Sequence, residues 1–343
     1  MNGLSLFSNV GIAETYLKNT NVDIVVANEL LENRAKFYKE MYPSTTMIVG
    51  DITNKTIYTD ILKTAKEKSC EFLLATPPCQ GFSTAGKMKE DDPRNSLIKY
   101  VVKMIKDLKP KNAIIENVSG MLNSYLLDNN QKIKIIDYIQ SELKDYIINA
   151  KVIDAANYGT PQHRKRAIIL ISNISKWEFP EQEPIITVRE AIGHLPSLES
   201  GEISNIPYHT AKKHNENHIL WMKHTPTDKS ALNNDIHFPS KDGRKIKAFG
   251  NTYKRMAWDK PAYTITMANG SVSSQNNVHP GRKLDNGLYS DARVLTLKEI
   301  FLLTGLPEDW TPPTWASENL IRQVIGEGIP PKLIQRLLKT MPI

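Results

Sequence analysis

Three short stretches of the chain carry side chains able to act on a substrate. In Thr76-Pro77-Pro78-Cys79-Gln80-Gly81-Phe82-Ser83, a cysteine follows two prolines at the end of an apolar run. The prolines restrict the backbone and lack amide donors, so the turn presents the thiol rigidly, as a nucleophile requires. A lone cysteine is more often an inert buried hydrophobe, and that reading suits Cys70; the turn context reverses it for Cys79. The second stretch, Ala113-Ile114-Ile115-Glu116-Asn117-Val118, ends a strand pattern in a carboxylate that a neighbouring strand could bring within a few ångströms of the thiol. The third, Tyr158-Gly159-Thr160-Pro161-Gln162-His163-Arg164-Lys165-Arg166, leads into the apolar run 167–171. Arg164 and Arg166 alternate with period 2, which predicts that both point to one side of an extended segment. Taken singly, Glu116 or Asn117 would serve as a helix N-cap or a surface residue, and the arginines as a solvated strand edge.

The elements that must position these groups are legible as apolar runs. Candidate strands are 4–7, 24–27, 47–49, 72–75, 113–116, 151–155 and 167–171, and helical patterns fill 12–18, 32–41, 59–68, 96–108 and 132–143. Alternation of short apolar runs with amphipathic ones predicts a parallel α/β sheet, whose ligands gather at the carboxyl ends of the strands. The apolar face Leu97, Val101, Met104, Ile105, Leu108 reads as core. Prolines 180, 184, 196 and 207 mark a linker or domain entry, the segment beyond is loop-rich, and helical pattern returns at 296–303 and 331–339.

Composition narrows the class. The chain has 343 residues, 40% hydrophobic and 24% charged, as a folded domain with a smaller companion would have. No apolar run approaches the ~20 residues that span a bilayer, and Asn9 and Glu14 interrupt the N-terminal apolar stretch, against a signal peptide. Two cysteines, without a CxxC pair or a His/Cys cluster at ligand spacing, exclude a disulfide scaffold and a structural zinc, and fit a reducing compartment. The formal charge of +7 is uneven: residues 205–290 hold 13 Lys and Arg against 6 Asp and Glu, and the remainder is balanced. Six of the eight histidines fall in the same window and are expected to be solvated or to contact phosphate. A basic module inserted in a neutral core points to nucleic acid.

The ordered set PPCQGFS (77–83), ENV (116–118) and QHRKR (162–166), each beside a strand, resembles the DNA (cytosine-5)-methyltransferase family. The likeness extends to LFSNVG (6–11), GDI (50–52), RVLTLKE (293–299) and GEGIPP (326–331), and covers essentially the whole chain outside the basic insertion. It implies a doubly wound, mostly parallel α/β sheet of the Rossmann-like, S-adenosylmethionine-dependent type, with a smaller basic target-recognition domain. The expected division is 1–188 catalytic, 189–285 target-recognition and 286–343 returning to the catalytic part.

By the same resemblance, Cys79 adds to C6 of cytosine, Glu116 binds the N3 edge, Arg166 binds O2, and Arg164 is its companion at base or phosphate. Such addition builds charge on N3 and O2, which a carboxyl and a guanidinium stabilise. The cofactor would lie on Phe7, Ser8, Asn9, Val10 and Gly11, with Glu29 on the ribose, Asp51 and Ile52 at the adenine edge, and Pro78 and Leu97 by the methionine part. Glu29 would suit a dinucleotide equally, but a full GxGxxG is absent. Where the family has glycines this chain has Asn9 and Ile12; Asn is the non-glycine residue best able to adopt positive φ. Glu327 stands where the family has Asn, and its backbone is expected to make the contact. Ser83, Lys87, Lys89 and Thr264 would contact DNA, and no metal is expected. The implied setting is a monomer in a prokaryotic cytoplasm, acting on double-stranded DNA beside a separately encoded restriction endonuclease. Two other readings stay open at this stage, a tRNA cytosine-5 methyltransferase and a catalytically silent DNA-binding homologue.

Overall fold

The computed structural model describes residues 1–78, 97–128 and 131–343. They form two compact units, Met1–Asp154 with Lys165–Gln182 and Leu333–Ile343, and Ala155–Arg164 with Glu183–Lys332. The second unit therefore takes up both the 158–164 motif and most of the segment expected to return to the catalytic part.

In the first unit the apolar runs become strands β1 (Asn2–Leu6), β2 (Asp23–Glu29), β3 (Thr46–Val49), β4 (Cys70–Ala75), β5 (Asn112–Val118), the hairpin β6 (Tyr125–Asp128) and β7 (Gln131–Lys134), then β8 (Ile147–Asp154) and β9 (Lys165–Ser172). Seven of these make one sheet in the order β3-β2-β1-β4-β5-β9-β8, parallel except that β9 runs antiparallel to both neighbours. Helices α1 (Glu32–Met41), α2 (Lys55–Glu67), α3 (Leu97–Leu108) and α4 (Ile135–Glu142) accompany it. Helix α3 buries Ile98, Val101, Val102, Met104 and Ile105, as its apolar spacing predicts. Chain order reverses between β1 and β4, the place where open α/β sheets leave a crevice at their carboxyl edge. The registers align Ile48, Asn28, Leu6, Ala75 and Ile115 in one row. The residues that follow, Val49, Glu29, Phe7, Thr76 and Glu116, leave that edge together.

Two helix expectations are corrected here. Residues 12–18 do not form an α-helix: successive i+3 bonds (Glu14 to Gly11, Thr15 to Ile12, Leu17 to Glu14) end in a single 3₁₀ turn, Leu17–Asn19. That tighter path turns Ile12, Ala13, Glu14 and Leu17 all inward, which one face of an α-helix would not do. The helix expected from 132 starts at Ile135, because Leu126 and Ile133 pair across a hairpin that packs on the sheet core. The proline-rich stretch, expected as a linker or domain entry, does contain the boundary between the units, at Gln182–Glu183, and its flanks are packed. Trp177 is fully buried, its indole donating to the carbonyl of Leu337, and Thr187 and Glu190 form a reciprocal capping box for α5 (Val188–Ile192).

The second unit adds α6 (Glu216–Lys223), the short hairpin of β10 (Ser240–Lys241) and β11 (Arg244–Lys245), α7 (Leu297–Thr304) and α8 (Glu318–Glu327); α9 (Pro331–Leu338) then leads to the C-terminus. Its interior depends on buried arginines. Arg293 donates to both oxygens of Glu299 at 2.9 Å, to Asp291 at 3.0 Å and to the carbonyl of Leu198 at 2.7 Å. Burial would raise the Glu299 carboxyl, but the Arg293 charge, the hydrogen bonds from Arg293 and the Thr296 amide, and the neighbouring His279 together hold the group at about 2. Burial and that same charge push His279 down to about 3, so its ring is neutral. His209 bridges Thr296 and the carbonyl of Pro196, and His214 accepts from the amide of Val294. These three histidines are structural, contrary to the solvated or phosphate-contacting role expected of them.

Replacing Arg293 by Ala leaves the buried Glu299 carboxylate without its counter-charge and Asp291 with only the Arg282 guanidinium, 3.2 Å away. Denaturant unfolding followed by tryptophan fluorescence is expected to show the second unit destabilised by about 3–5 kcal/mol.

Candidate active site

The turn after β1 is built from residues able to adopt unusual backbone angles. Phe7, Asn9 and Gly11 have φ of 58°, 51° and 80°. Asn9 thus keeps the positive φ expected of it, and Phe7 shares it. The amide of Asn9 donates to Glu29 Oε2 at 2.9 Å, and the amide of Leu31 to Oε1 at 3.0 Å, so the carboxylate that ends β2 is fixed from both sides. Ser8 and Val10 are buried, and the Ser8 amide donates to the carbonyl of Asn28. A Cβ on Gly11 would lie 2.2 Å from the Tyr42 ring, whose hydroxyl donates to the Gly11 carbonyl at 2.6 Å. Asp51 is exposed after β3 and accepts from Thr53, while Ile52 is buried beneath it. Leu30, 57% exposed, is an apolar surface directly after Glu29 that the sequence reading passed over. An isolated leucine carries no signal until the sheet places it at the carboxyl edge.

Glu116 and Arg166 meet on the next pair of strands. Glu116 pairs with Ile168 and Val118 with Arg166 across β5 and β9, so the two charged side chains are diagonal neighbours on one face. Arg166 Nε lies 2.8 Å from Glu116 Oε1, with the side chains 13% and 8% exposed. This rules out the helix-cap and free-surface readings of Glu116. Asn117 is buried, donating from Nδ2 to the carbonyl of Pro77 at 2.9 Å and accepting from the amide of Val118. Thr76 in turn donates to the carbonyl of Phe7 at 2.9 Å. The strand ends that carry Phe7, Pro77 and Glu116 are therefore tied to one another. Pro78 is exposed and Leu97 half-buried at the start of α3. Cys79, Ser83, Lys87 and Lys89 lie outside the described residues.

Arg164 is occupied within its own unit. It belongs to the second unit, is 3% exposed, and donates to the carbonyls of Ile265, Gly326 and Glu327 at 2.9, 2.8 and 3.2 Å. Thr264 donates to the carbonyl of His163 at 2.7 Å, and Gln162 accepts from the amide of Ile265 at 3.1 Å, so 162–164 and 262–265 are cross-linked. Gly326 packs so closely that a Cβ there would meet the Thr266 carbonyl at 2.3 Å. Glu327 contributes its carbonyl to Arg164 and accepts from Gln323 through its carboxylate.

Residues 1–342 match the family model described as C-5 cytosine-specific DNA methylase. The chain belongs to that family. The methylase is 47% identical over 345 residues to the Type II methyltransferase M1.HgaI of Avibacterium volantium, covering 98% of this chain and 97% of that one. It is 28% identical to the Type II methyltransferase M1.HphI of Haemophilus parahaemolyticus, over 98% and 86% of the two chains. Among solved structures, a candidate DNA modification methyltransferase encoded within an E. coli prophage superposes with a TM-score of 0.73 at 19% identity, covering 99% of this chain and 98% of that one. The S. pombe Dnmt2 methyltransferase gives 0.66 at 17%, covering 99% and 97%. These two likenesses are of fold. The family expected from the ordered motifs is the one that matches, and the doubly wound, mostly parallel sheet is the one observed. No helix among the described residues is long and apolar enough to cross a membrane.

One titratable group behind the methylase's first turn was not foreseen. Glu14 is 4% exposed and accepts a 2.6 Å hydrogen bond from Ser5; burial raises its carboxyl from 4.5 to about 7, the serine opposing the rise. Between those two values the folded chain keeps a proton that the unfolded chain releases, so stability falls as pH rises through the window and levels off above it. Glu14→Gln removes that dependence. Its stability relative to the unsubstituted chain is expected to grow by up to about 3 kcal/mol between pH 5 and pH 8 in denaturant titrations.

Proposed function

We propose that this methylase transfers a methyl group from S-adenosyl-L-methionine to carbon 5 of cytosine within a specific duplex DNA sequence. Its setting is a prokaryotic restriction–modification system, where it acts as a monomer in the cytoplasm and protects DNA from a separately encoded endonuclease. The observation that carries the chemistry is the shielded Glu116–Arg166 pair at the carboxyl edge, on the same register row as Phe7 and Glu29.

The donor set at that edge fits the cofactor. Glu29 keeps acceptor capacity for two ribose hydroxyls beyond its bonds to Asn9 and Leu31. Exposed Leu30 and the Phe7 ring supply apolar surface for an adenine, with Asp51 and Ile52 at its edge. Ser8, Val10 and Gly11 shape the turn, and Pro78 and Leu97 flank the methionine end. When bound, S-adenosylmethionine supplies an electrophilic methyl group on its sulfonium.

Cytosine C5 is too weak a nucleophile to take that methyl unaided, and in a duplex it is stacked, so the base must swing out. Addition of the Cys79 thiolate at C6 makes C5 enamine-like. Glu116 shares a proton with N3, and Arg166 holds O2, where negative charge develops. Loss of the C5 proton and departure of Cys79 restore the ring. Asn117 acts as a positioning residue by holding the Pro77 carbonyl two residues before the nucleophile. Arg164, through three carbonyls, joins the 158–164 motif to 265 and 326–327 rather than touching the base. Thr264, Ser83, Lys87, Lys89 and the basic residues of 189–285 supply phosphate and base contacts.

Sequencing of bisulfite-treated DNA from a host expressing the chain is expected to reveal protected cytosines at one recurrent sequence; no protection above background would overturn the proposal. Cys79→Ala is expected to abolish turnover while duplex binding persists. Glu116→Gln should lower kcat by roughly 10²–10³-fold, by analogy with removal of one charge-stabilising group, as measured by radiolabelled methyl incorporation.

A further inference from the structure

The second unit carries a basic element that its interior does not use. Asp242 and Gly243, with φ of 52° and 72°, make a tight turn between β10 and β11, and the ladder sets Lys241 directly opposite Arg244. Like charges facing each other across a ladder oppose pairing, and an anion between them reverses the sign. Lys241, Arg244 and Lys247 are exposed, and among the described residues no carboxylate lies within ion-pair distance of them. Three other basic residues of the unit are engaged: Lys254 and Lys260 pair with Asp228, and Arg255 donates to four backbone carbonyls.

Two large apolar side chains flank the hairpin in solvent, Ile236 and Phe249, each 77% exposed. The hairpin itself is held firmly. Lys245 donates to the carbonyls of Leu232 and Asn234, its ammonium lies 4.5 Å from the centre of the Phe238 ring, and the Ile246 amide donates to Pro239. Asn234 fixes the approach through Trp221, Thr225 and His237. A rigid, cationic, two-stranded ribbon with apolar side chains at its base matches the width and chemistry of the DNA major groove, which presents acceptors on purines and a methyl group on thymine.

We propose that the 236–249 hairpin is the element that enters the groove of the target duplex and discriminates its sequence. Lys241 and Arg244 bind polar base edges, and Phe249 and Ile236 make the apolar contacts. This rests on the duplex-DNA reading above. A Lys241→Ser, Arg244→Ser double variant and a Phe249→Ala variant keep the Asp-Gly turn and the Lys245 anchor; the exposure of Phe249 makes its loss harmless to folding. Each is titrated by fluorescence anisotropy against a duplex bearing the protected sequence and a scrambled duplex of equal composition, at two salt concentrations, with calorimetric binding of S-adenosylmethionine as the folding control.

The preference for the protected sequence is expected to fall about tenfold or more in the double variant and severalfold in Phe249→Ala, with cofactor affinity unchanged. Undiminished preference in both variants overturns the proposal. An equal loss on both duplexes, with a shallower salt dependence, overturns sequence reading and leaves the hairpin a phosphate anchor. If the unsubstituted chain itself shows no preference while binding cofactor, the duplex-DNA reading has failed, and the hairpin proposal with it.

Discussion

The antiparallel pairing of β9 with β5 is the constraint on which the candidate site depends. In a parallel sheet, only the last residues of each strand reach the carboxyl edge, and the first residues lie at the far side. Because β9 runs in reverse, Arg166 near its beginning arrives beside Glu116 near the end of β5. The same residues on a parallel strand would be separated by most of the strand length, about 3.3 Å for each of the intervening residues. A single reversed strand thus brings together an acid and a base that stand 50 positions apart in the chain.

The two units reach stability by different means. The first buries aliphatic runs on both faces of a sheet, and Asn28, Glu29, Glu116 and Asn117 are buried polar groups at its carboxyl edge. The second has little regular structure to satisfy its backbone, and buried guanidinium groups do that work: Arg164, Arg255, Arg293 and Arg322 each donate to backbone carbonyls. A planar five-donor group suits irregular chain, since it can bridge several carbonyls that no strand or helix would pair. Of these four arginines only Arg255 belongs to the basic segment 205–290. Lys241, Arg244 and Lys247 of the hairpin are among the cations of that segment that stay exposed.

Candidate site residues were legible where chemistry and backbone restriction coincide locally. The strand-ending Glu116, found paired with Arg166, and the tolerance of Asn9 for positive φ belong to this class; of the Pro77-Pro78-Cys79 turn the described residues reach only Pro78. Asn117, Leu30 and Glu14 were passed over or given bland roles, because their significance lies in a partner: the Pro77 carbonyl, the sheet edge, the Ser5 hydroxyl.

By itself the sequence determined the seven sheet strands, the α3 face and the family, since apolar runs, helical spacing and motif order are properties of neighbouring residues. Tertiary structure alone decided that 12–18 winds in turns, that 131–134 joins a hairpin, and that Arg164 is buried on three backbone carbonyls. It also decided that His209 and His279 are interior groups and that half-buried His214 accepts from the Val294 amide. In each case the competing local conformations differ by little, and the outcome is set by long-range contacts: a buried pair, a shared carbonyl, a counter-charge that no window of sequence contains.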